Sequence, residues 1–233
     1  MRNPLLTILI SASSVPCAEG RNTILCLHGR GGGAFSFLAH NIAPLRDTTA
    51  ACYGIPGRAR RATAWKYDAI DSEDASGGWW SYPEGERSYS AKEFVGAEAS
   101  IAAVEAELAT GLYCGLLGFS QGAALAACIA ARVSLGEGNE DAARHLRFAV
   151  ICGTALPQPF RPVFEKLQEA GDAAVPTLHC LSRADTVNPP GLGEELARSF
   201  GATAQVLWHD AGHALPPKDK LTEVAAWLDQ FGQ

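Results

Sequence analysis

The run LLGFSQGAALAACIA, Leu116 to Ala130, changes its hydrophobic pattern at a single serine. Before that serine stands a short apolar stretch of the kind a strand shows when both its faces are covered. After it comes an alanine-rich run with strong helix propensity. A buried strand feeding directly into a helix is the unit of a parallel α/β sheet, and this restricts the fold class sharply. The run also raises a chemical question, because Ser120 sits between Gly118 and Gly122 at the turn itself.

The rest of the chain repeats the pattern. NTILCLHG (Asn22 to Gly29) reads as a buried parallel strand ended by glycine, and AFSFLAHNIAPL (Ala34 to Leu45) as a helix. Asp47 to Ala64 holds Gly54, Pro56, Gly57 and the basic cluster RARR, and is expected to be mostly loop. AWKYDAID (Ala64 to Asp71) predicts a strand, followed by the turn-rich SEDASGGWWSYPEGERSYS. From Ser90 to Ala109, Phe94, Ile101, Val104 and Leu108 keep to one helical face. Further strands are expected at Tyr113 to Gly118, Phe148 to Gly153, Thr177 to Ser182 and Gln205 to His209. Leu192, Leu196 and Phe200 recur on a helix opened by prolines, and Leu221, Val224 and Leu228 share a face of the C-terminal helix. The expected architecture is an α/β fold, a mostly parallel central sheet with helices on both faces. It occupies residues 21–233, after an N-terminal extension over residues 1–20.

Composition excludes several functions. Nineteen basic against 25 acidic residues leave a formal charge of −6, which gives no reason to expect nucleic acid as a partner. RARR (Arg58 to Arg61) is read as a solvated loop. The seven cysteines form no CxxC or Cys/His pairing that would suggest a metal site; no cofactor is expected either. Their odd number, without framework spacing, favours a reducing compartment and a cytoplasmic location. The alternative is secretion, since residues 1–20 carry a thin signal-like pattern that Pro4 and Pro16 interrupt. No run approaches the ~20 apolar residues of a membrane span.

In open parallel sheets, ligands bind at the carboxyl ends of the strands, which is where Ser120 falls. A G-x-S-x-G elbow holds its serine on a strained strand-to-helix turn, beside the free N–H groups of a helix N-terminus. A serine hydroxyl needs a base, and the base an orienting acid, in the chain order serine, acid, histidine. Of the six histidines, only His209 and His213 follow the final strand. His213, in the loop DAGHALPP beside Gly212, is the preferred base. His209 is placed at the strand end, where it can simply cap it. His179 reads as a hydrogen-bonded core residue, His28 as a loop brace, and His40 and His145 as surface residues. For the acid, Asp185 lies just past a strand end. Asp210 is close to His213 only along the chain, and Asp172 is at the wrong edge. Two N–H donors for an oxyanion are expected from Gln121, after the nucleophile, and from Arg30 in HGRGGG. The Gly31 to Gly33 run lacks the Lys-Ser/Thr ending of a phosphate-binding loop. Trp79 and Trp80 follow a strand end, and at least one is expected to line a substrate acyl pocket, the plain alternative being core packing.

With ILCLHG, GGWWSYPEG, GFSQGAALA, SRADTVNPP and DAGHALPP assembled, the chain resembles the FSH family of serine hydrolases, within the α/β-hydrolase superfamily. The resemblance runs from about Asn22 to the C-terminus. GFSQG is shared with the acyl-protein thioesterase/carboxylesterase group, and the double tryptophan tips the choice. The resemblance implies Ser120 as nucleophile, Asp185 as acid and His213 as base. It also implies hydrolysis of carboxylic esters or thioesters, including acyl groups released from biosynthetic enzymes in some fungal members. Arg30 departs from the aromatic or small residue usual at its position. The expected substrate is thus a small-molecule ester or an acyl thioester, free or borne on a carrier protein. An acyl-protein thioesterase and a non-catalytic binding protein on the same fold stand as alternatives.

Overall fold

The computed structural model describes residues 22–52, 65–72 and 77–232. The N-terminal extension, the RARR cluster and most of the loop expected before Ala64 lie outside them.

Among the described residues, six strands form one sheet in the order β2-β1-β3-β4-β5-β6, every neighbouring pair parallel. They are β1 (Thr23–Leu27), β2 (Lys66–Ala69), β3 (Gly115–Phe119), β4 (Phe148–Cys152), β5 (Thr177–Ser182) and β6 (Ala204–His209). Alternation along each strand divides the core in two. Leu25, Leu27, Leu116 and Ile151 face α3 (Ala97–Ala109), α4 (Gln121–Ser134), α6 (Arg161–Ala170) and α7 (Pro190–Arg198). Ile24, Cys26, Leu117, Val150, Cys152 and Cys180 face the other way. There they meet the π-helical run Phe37–Ile42 that continues α1 (Ala34–Ser36), and α2 (Ala43–Cys52) and α8 (Leu221–Leu228). The short α5 (Glu140–His145) is capped by the Asn139 side chain, which accepts from the N–H groups of Asp141 and Ala142. Coverage on both faces explains why the strands read as continuous apolar runs. Among the described residues, Cys26, Cys114, Cys128, Cys152 and Cys180 are buried, packing as small hydrophobes.

The chain runs from β1 outward to β2 and then crosses back to place β3 on the other side of β1. The strand order reverses between β1 and β3, and a crevice opens there at the carboxyl ends. The loop after β1 and the serine after β3 both lie at that crevice.

Two expectations are corrected. The helix read from Ser90 begins only at Ala97, because Gly96 has φ 90° and Val95 pairs with Ser81 through two backbone hydrogen bonds. Phe94 therefore leaves the helical face and stacks on Trp80, ring centroids 4.8 Å apart. The loop expected from Asp47 is helical as far as Cys52. There the hydroxyls of Thr48 and Thr49 donate back to the carbonyls of Pro44 and Leu45.

Candidate active site

Ser120 ends β3 and opens α4 with φ 53° and ψ −115°. Among the described residues no other non-glycine has positive φ. Such a backbone costs on the order of 1–3 kcal/mol and persists only when its surroundings impose it. Here they do. A Cβ on Gly118 would lie 2.3 Å from the Gly122 carbonyl oxygen, and one on Gly122 would lie 2.3 Å from that of Leu27. Only glycines let β3, α4 and β1 approach this closely, and the turn between them is left no other course. The Ser120 N–H donates to the Cys152 carbonyl at 2.9 Å, tying the elbow to β4.

The loops after β5 and β6 meet this serine. His213 Nε2 lies 3.0 Å from Ser120 Oγ, and His213 Nδ1 lies 2.8 Å from Asp185 Oδ2. Asp185 is buried, and its Oδ1 accepts from the N–H groups of Val187 and Asn188 at 2.8 and 2.9 Å. With one oxygen anchored by its own loop, the other is aimed at the imidazole. The bond to Asp185 fixes the proton on Nδ1, so Nε2 presents its lone pair to the serine hydroxyl. Phe119 packs against the same imidazole, ring centroids 5.0 Å apart.

The histidines and acids set aside in the sequence lie elsewhere. His179 is fully buried in β5 with Nε2 3.0 Å from Thr177 Oγ1, and burial lowers its pKa to about 3. His209 is buried at the end of β6 and accepts from the Ala211 N–H; burial pushes it below the usual histidine range, against the pull of Asp210, Asp185 and Asp219. Asp210 is exposed, 4.0 Å from Arg183. Asp172 accepts from the Ala202 N–H at the amino end of the sheet.

The backbone N–H groups of Arg30 and Gln121 flank the crevice, and neither donates to an acceptor among the described residues. The Arg30 guanidinium is exposed and stacks over the Tyr82 ring, 4.7 Å from its centroid.

Trp79 and Trp80 depart from expectation. Both indoles are core, 3% and 2% exposed, and neither offers a surface to a ligand. Trp79 is held from three sides. Its indole N–H donates to the His28 carbonyl at 2.8 Å, its backbone N–H to Gln121 Oε1 at 2.9 Å, and its ring stacks on His28 at 4.9 Å. Its own carbonyl accepts from the Ser100 hydroxyl. Trp80 packs between Phe94 and Phe160, and its carbonyl accepts from Gln121 Nε2 at 2.8 Å. Leaving a buried indole N–H unpaired costs free energy, and Trp79 avoids that cost by donating to the strand end beneath the Arg30 loop.

Three positioning groups were missed in the sequence. The Gln121 side chain clamps Trp79 and Trp80. The Ser182 hydroxyl accepts from the N–H groups of Ala184 and Gly212, joining the acid loop to the histidine loop. The Asn188 amide donates to the Gly153 carbonyl at 2.8 Å. Gln121 alone left a signal, since an amide inside a run of glycines, alanines and leucines must satisfy itself when buried. Among the described residues no group of three or more His, Cys, Asp or Glu is placed to hold a metal ion, and no helix is long and apolar enough to cross a membrane.

The sequence profile of the family described as Serine hydrolase (FSH1) matches residues 18–225. Esterase OVCA2 of Danio rerio is 35% identical over 156 residues, 64% of this chain and 64% of that protein. This chain thus spans somewhat less than two thirds of that relative's length. Esterase OVCA2 of Homo sapiens is 32% identical over 173 residues, 72% of this chain and 74% of its own. Among solved structures, Arabidopsis thaliana SOBER1 aligns with a TM-score of 0.64 at 16% identity, covering 91% of this chain and all of the other. Zea mays acyl-protein thioesterase 2 aligns at 0.60 and 17%, covering 91% and 94%. At such identities these structures speak for the fold alone. The profile match runs from before β1 into α8, and with the sheet and crevice described above it identifies the chain as a member of the FSH1 serine hydrolase family on the α/β-hydrolase fold.

Proposed function

We propose that the protein hydrolyses carboxylic esters or thioesters through an acyl-enzyme on Ser120. The observation that carries this reading is the unbroken chain Asp185 Oδ2, His213, Ser120 Oγ, with contacts of 2.8 and 3.0 Å on a serine held in a forced backbone conformation. As the Ser120 oxygen attacks the acyl carbon, its proton passes to His213 Nε2. The charge gathering on the former carbonyl oxygen is met by the N–H groups of Arg30 and Gln121. Collapse breaks the bond to the alkoxide or thiolate, which leaves with the proton from His213. Water then repeats the sequence and frees the acid. Asp185 holds the imidazole in the required tautomer and stabilises the imidazolium that forms. No step calls for a metal or a cofactor.

The substrate class is a small-molecule ester or an acyl thioester, including one borne on a carrier protein. The exposed Arg30 side chain at the crevice suits an acidic carrier surface. Cys26, Cys128, Cys152 and Cys180, free and buried, suit a reducing, cytoplasmic setting. A purely binding role has no use for a base poised on a strained hydroxyl. The test is labelling with a fluorophosphonate probe beside hydrolysis of a panel of acyl esters and thioesters. Labelling at Ser120 and turnover of either class support the reading. An unlabelled Ser120 in folded protein, with no turnover, would overturn it.

A further inference from the structure

On the face of the sheet that carries α2 and α8, a cavity of about 270 Å³ opens beneath the loop that follows His213. Its floor is Leu117 and Val150 of neighbouring strands, and Leu45 and Val224 close it from the two helices. Leu215 and Pro216, two and three residues past His213, form the wall nearest the active site. The cavity does not continue to Ser120. Phe119, the next residue after Leu117 on that strand face, is absent from the lining, and its ring packs between Phe37 and His213.

We propose that this cavity is a second binding site, distinct from the catalytic crevice, for a single-chain aliphatic carboxylate. Three observations select that chemistry. The interior is apolar and nearly twice the ~150 Å³ that holds a benzene ring in an engineered core, so it admits a run of methylenes. Its polar side chains are Asn41 and Lys218, both exposed and therefore at the mouth. Lys218 is the one charged residue in the lining, and it has no ion-pair partner among the described residues. An apolar chain lying inside would leave its carboxylate against that ammonium. Asn41 also belongs to the π-helical run Phe37–Ile42, a helix form that is rare and concentrates at functional sites. If Ser120 cleaves aliphatic esters, as proposed above, this is the class of product it releases. The ligand would then bear on the loop that positions His213. The binding itself does not depend on that reading.

The experiment titrates saturated carboxylates of about six to twelve carbons into the Ser120→Ala protein by calorimetry. Affinity should rise about fourfold with each methylene until the cavity is full. The matching alcohols should bind about threefold more weakly, and Lys218→Met should erase that difference. Val224→Phe, checked by circular dichroism, should weaken every ligand by about tenfold or more by filling the space. Should that variant fail to fold, the surface substitution Lys218→Met still decides the role of charge. Affinity that ignores chain length, or carboxylates and alcohols that bind alike both with Lys218 in place and after Lys218→Met, would overturn the proposal. So would a Val224→Phe change, made in the enzyme with Ser120 intact, that flattens the chain-length profile of ester hydrolysis, because the cavity would then be part of the catalytic crevice. Failure of the esterase reading shows separately, as absent Ser120 labelling with carboxylate binding intact.

Discussion

The elbow at Gly118 to Gly122 and the segment from Gly77 to Val95 both border the crevice, yet opposite kinds of force hold them. The elbow is set by exclusion: added Cβ atoms at its two glycines would fall 2.3 Å from backbone oxygens, and Ser120 takes φ 53° because no relaxed course remains. The second segment has one antiparallel bridge, Ser81 to Val95, and otherwise no regular structure. It is held by bonds reaching to distant parts of the chain, from the Trp79 indole to His28 and from Gln121 to both tryptophan backbones. The elbow therefore fixes the serine by local sterics. The spacing between the Arg30 and Gln121 N–H groups depends instead on a side-chain scaffold, and that scaffold can be loosened without breaking the fold.

The largest effect should come from the elbow's own product. Ser120→Ala should abolish fluorophosphonate labelling and lower kcat by on the order of 10⁶, as loss of a triad serine does. Retained labelling would place the nucleophile elsewhere and dissolve the comparison. Next in size are the groups that act on the serine. His213→Ala and Asp185→Asn should each lower kcat by at least ~10³–10⁴, through a missing base or a wrong tautomer. His209→Gln and Asp210→Asn should stay within about tenfold, ~1.4 kcal/mol of barrier. A reversed ranking in either pair would move the site to the other residue.

The two regions also differ in what their residues disclose before folding. The elbow was legible because sterics confine it to five consecutive residues, so glycine, serine and glycine had to appear together. The sheet was legible for a similar reason, since strands covered on both faces must be apolar throughout. Asp185 and His213 could be placed from the loops at two strand ends, and the structure brings His213 to Ser120 and Asp185 to His213. The tryptophan segment gave only its position near a strand end. Which carbonyl an indole reaches, 51 residues away, is settled by tertiary packing. Phe94 misled for the same reason: its spacing from Ile101 is helical, but Gly96 and the Val95 bridge stop the helix before it. The partners of Ser182 and Asn188 were hidden because both join loops that come together only once the sheet has formed.

A smaller effect should follow from cutting the clamp between the two regions. Gln121→Leu keeps the backbone N–H and the approximate volume, but leaves the Trp79 N–H and the Trp80 carbonyl without partners. A displacement of an oxyanion donor by about 1 Å can cost ~10²-fold, so kcat should fall about 10- to 100-fold. KM should move by less than about threefold. Gln121→Glu can still accept from Trp79 but cannot donate to Trp80, and should fall between. Unchanged kcat with a lowered melting temperature would mean that the elbow positions both donors unaided.

The smallest and most discriminating effect separates the two tryptophans. Trp79→Phe retains a ring against His28 but removes the N–H that its carbonyl accepts. An orphaned buried carbonyl costs ~1–3 kcal/mol, or roughly 2–4 °C of melting temperature per kcal/mol in a domain of this size. Because that carbonyl leads into the Arg30 loop, kcat should also drop by up to about tenfold. The Trp80 indole N–H is buried and has no hydrogen-bond partner among the described residues, so Trp80→Phe takes away only volume. Its stacking on Phe94 can persist, and the Gln121 bond runs to its backbone. Stability can fall as far as in Trp79→Phe, since a smaller ring leaves a void. The two variants should therefore resemble each other in melting temperature and differ in kcat, with Trp80→Phe within about threefold of wild type. Equal losses of kcat would show that ring volume, not the bond to His28, holds the Arg30 loop. The segment would then support the crevice by filling space, much as the elbow does.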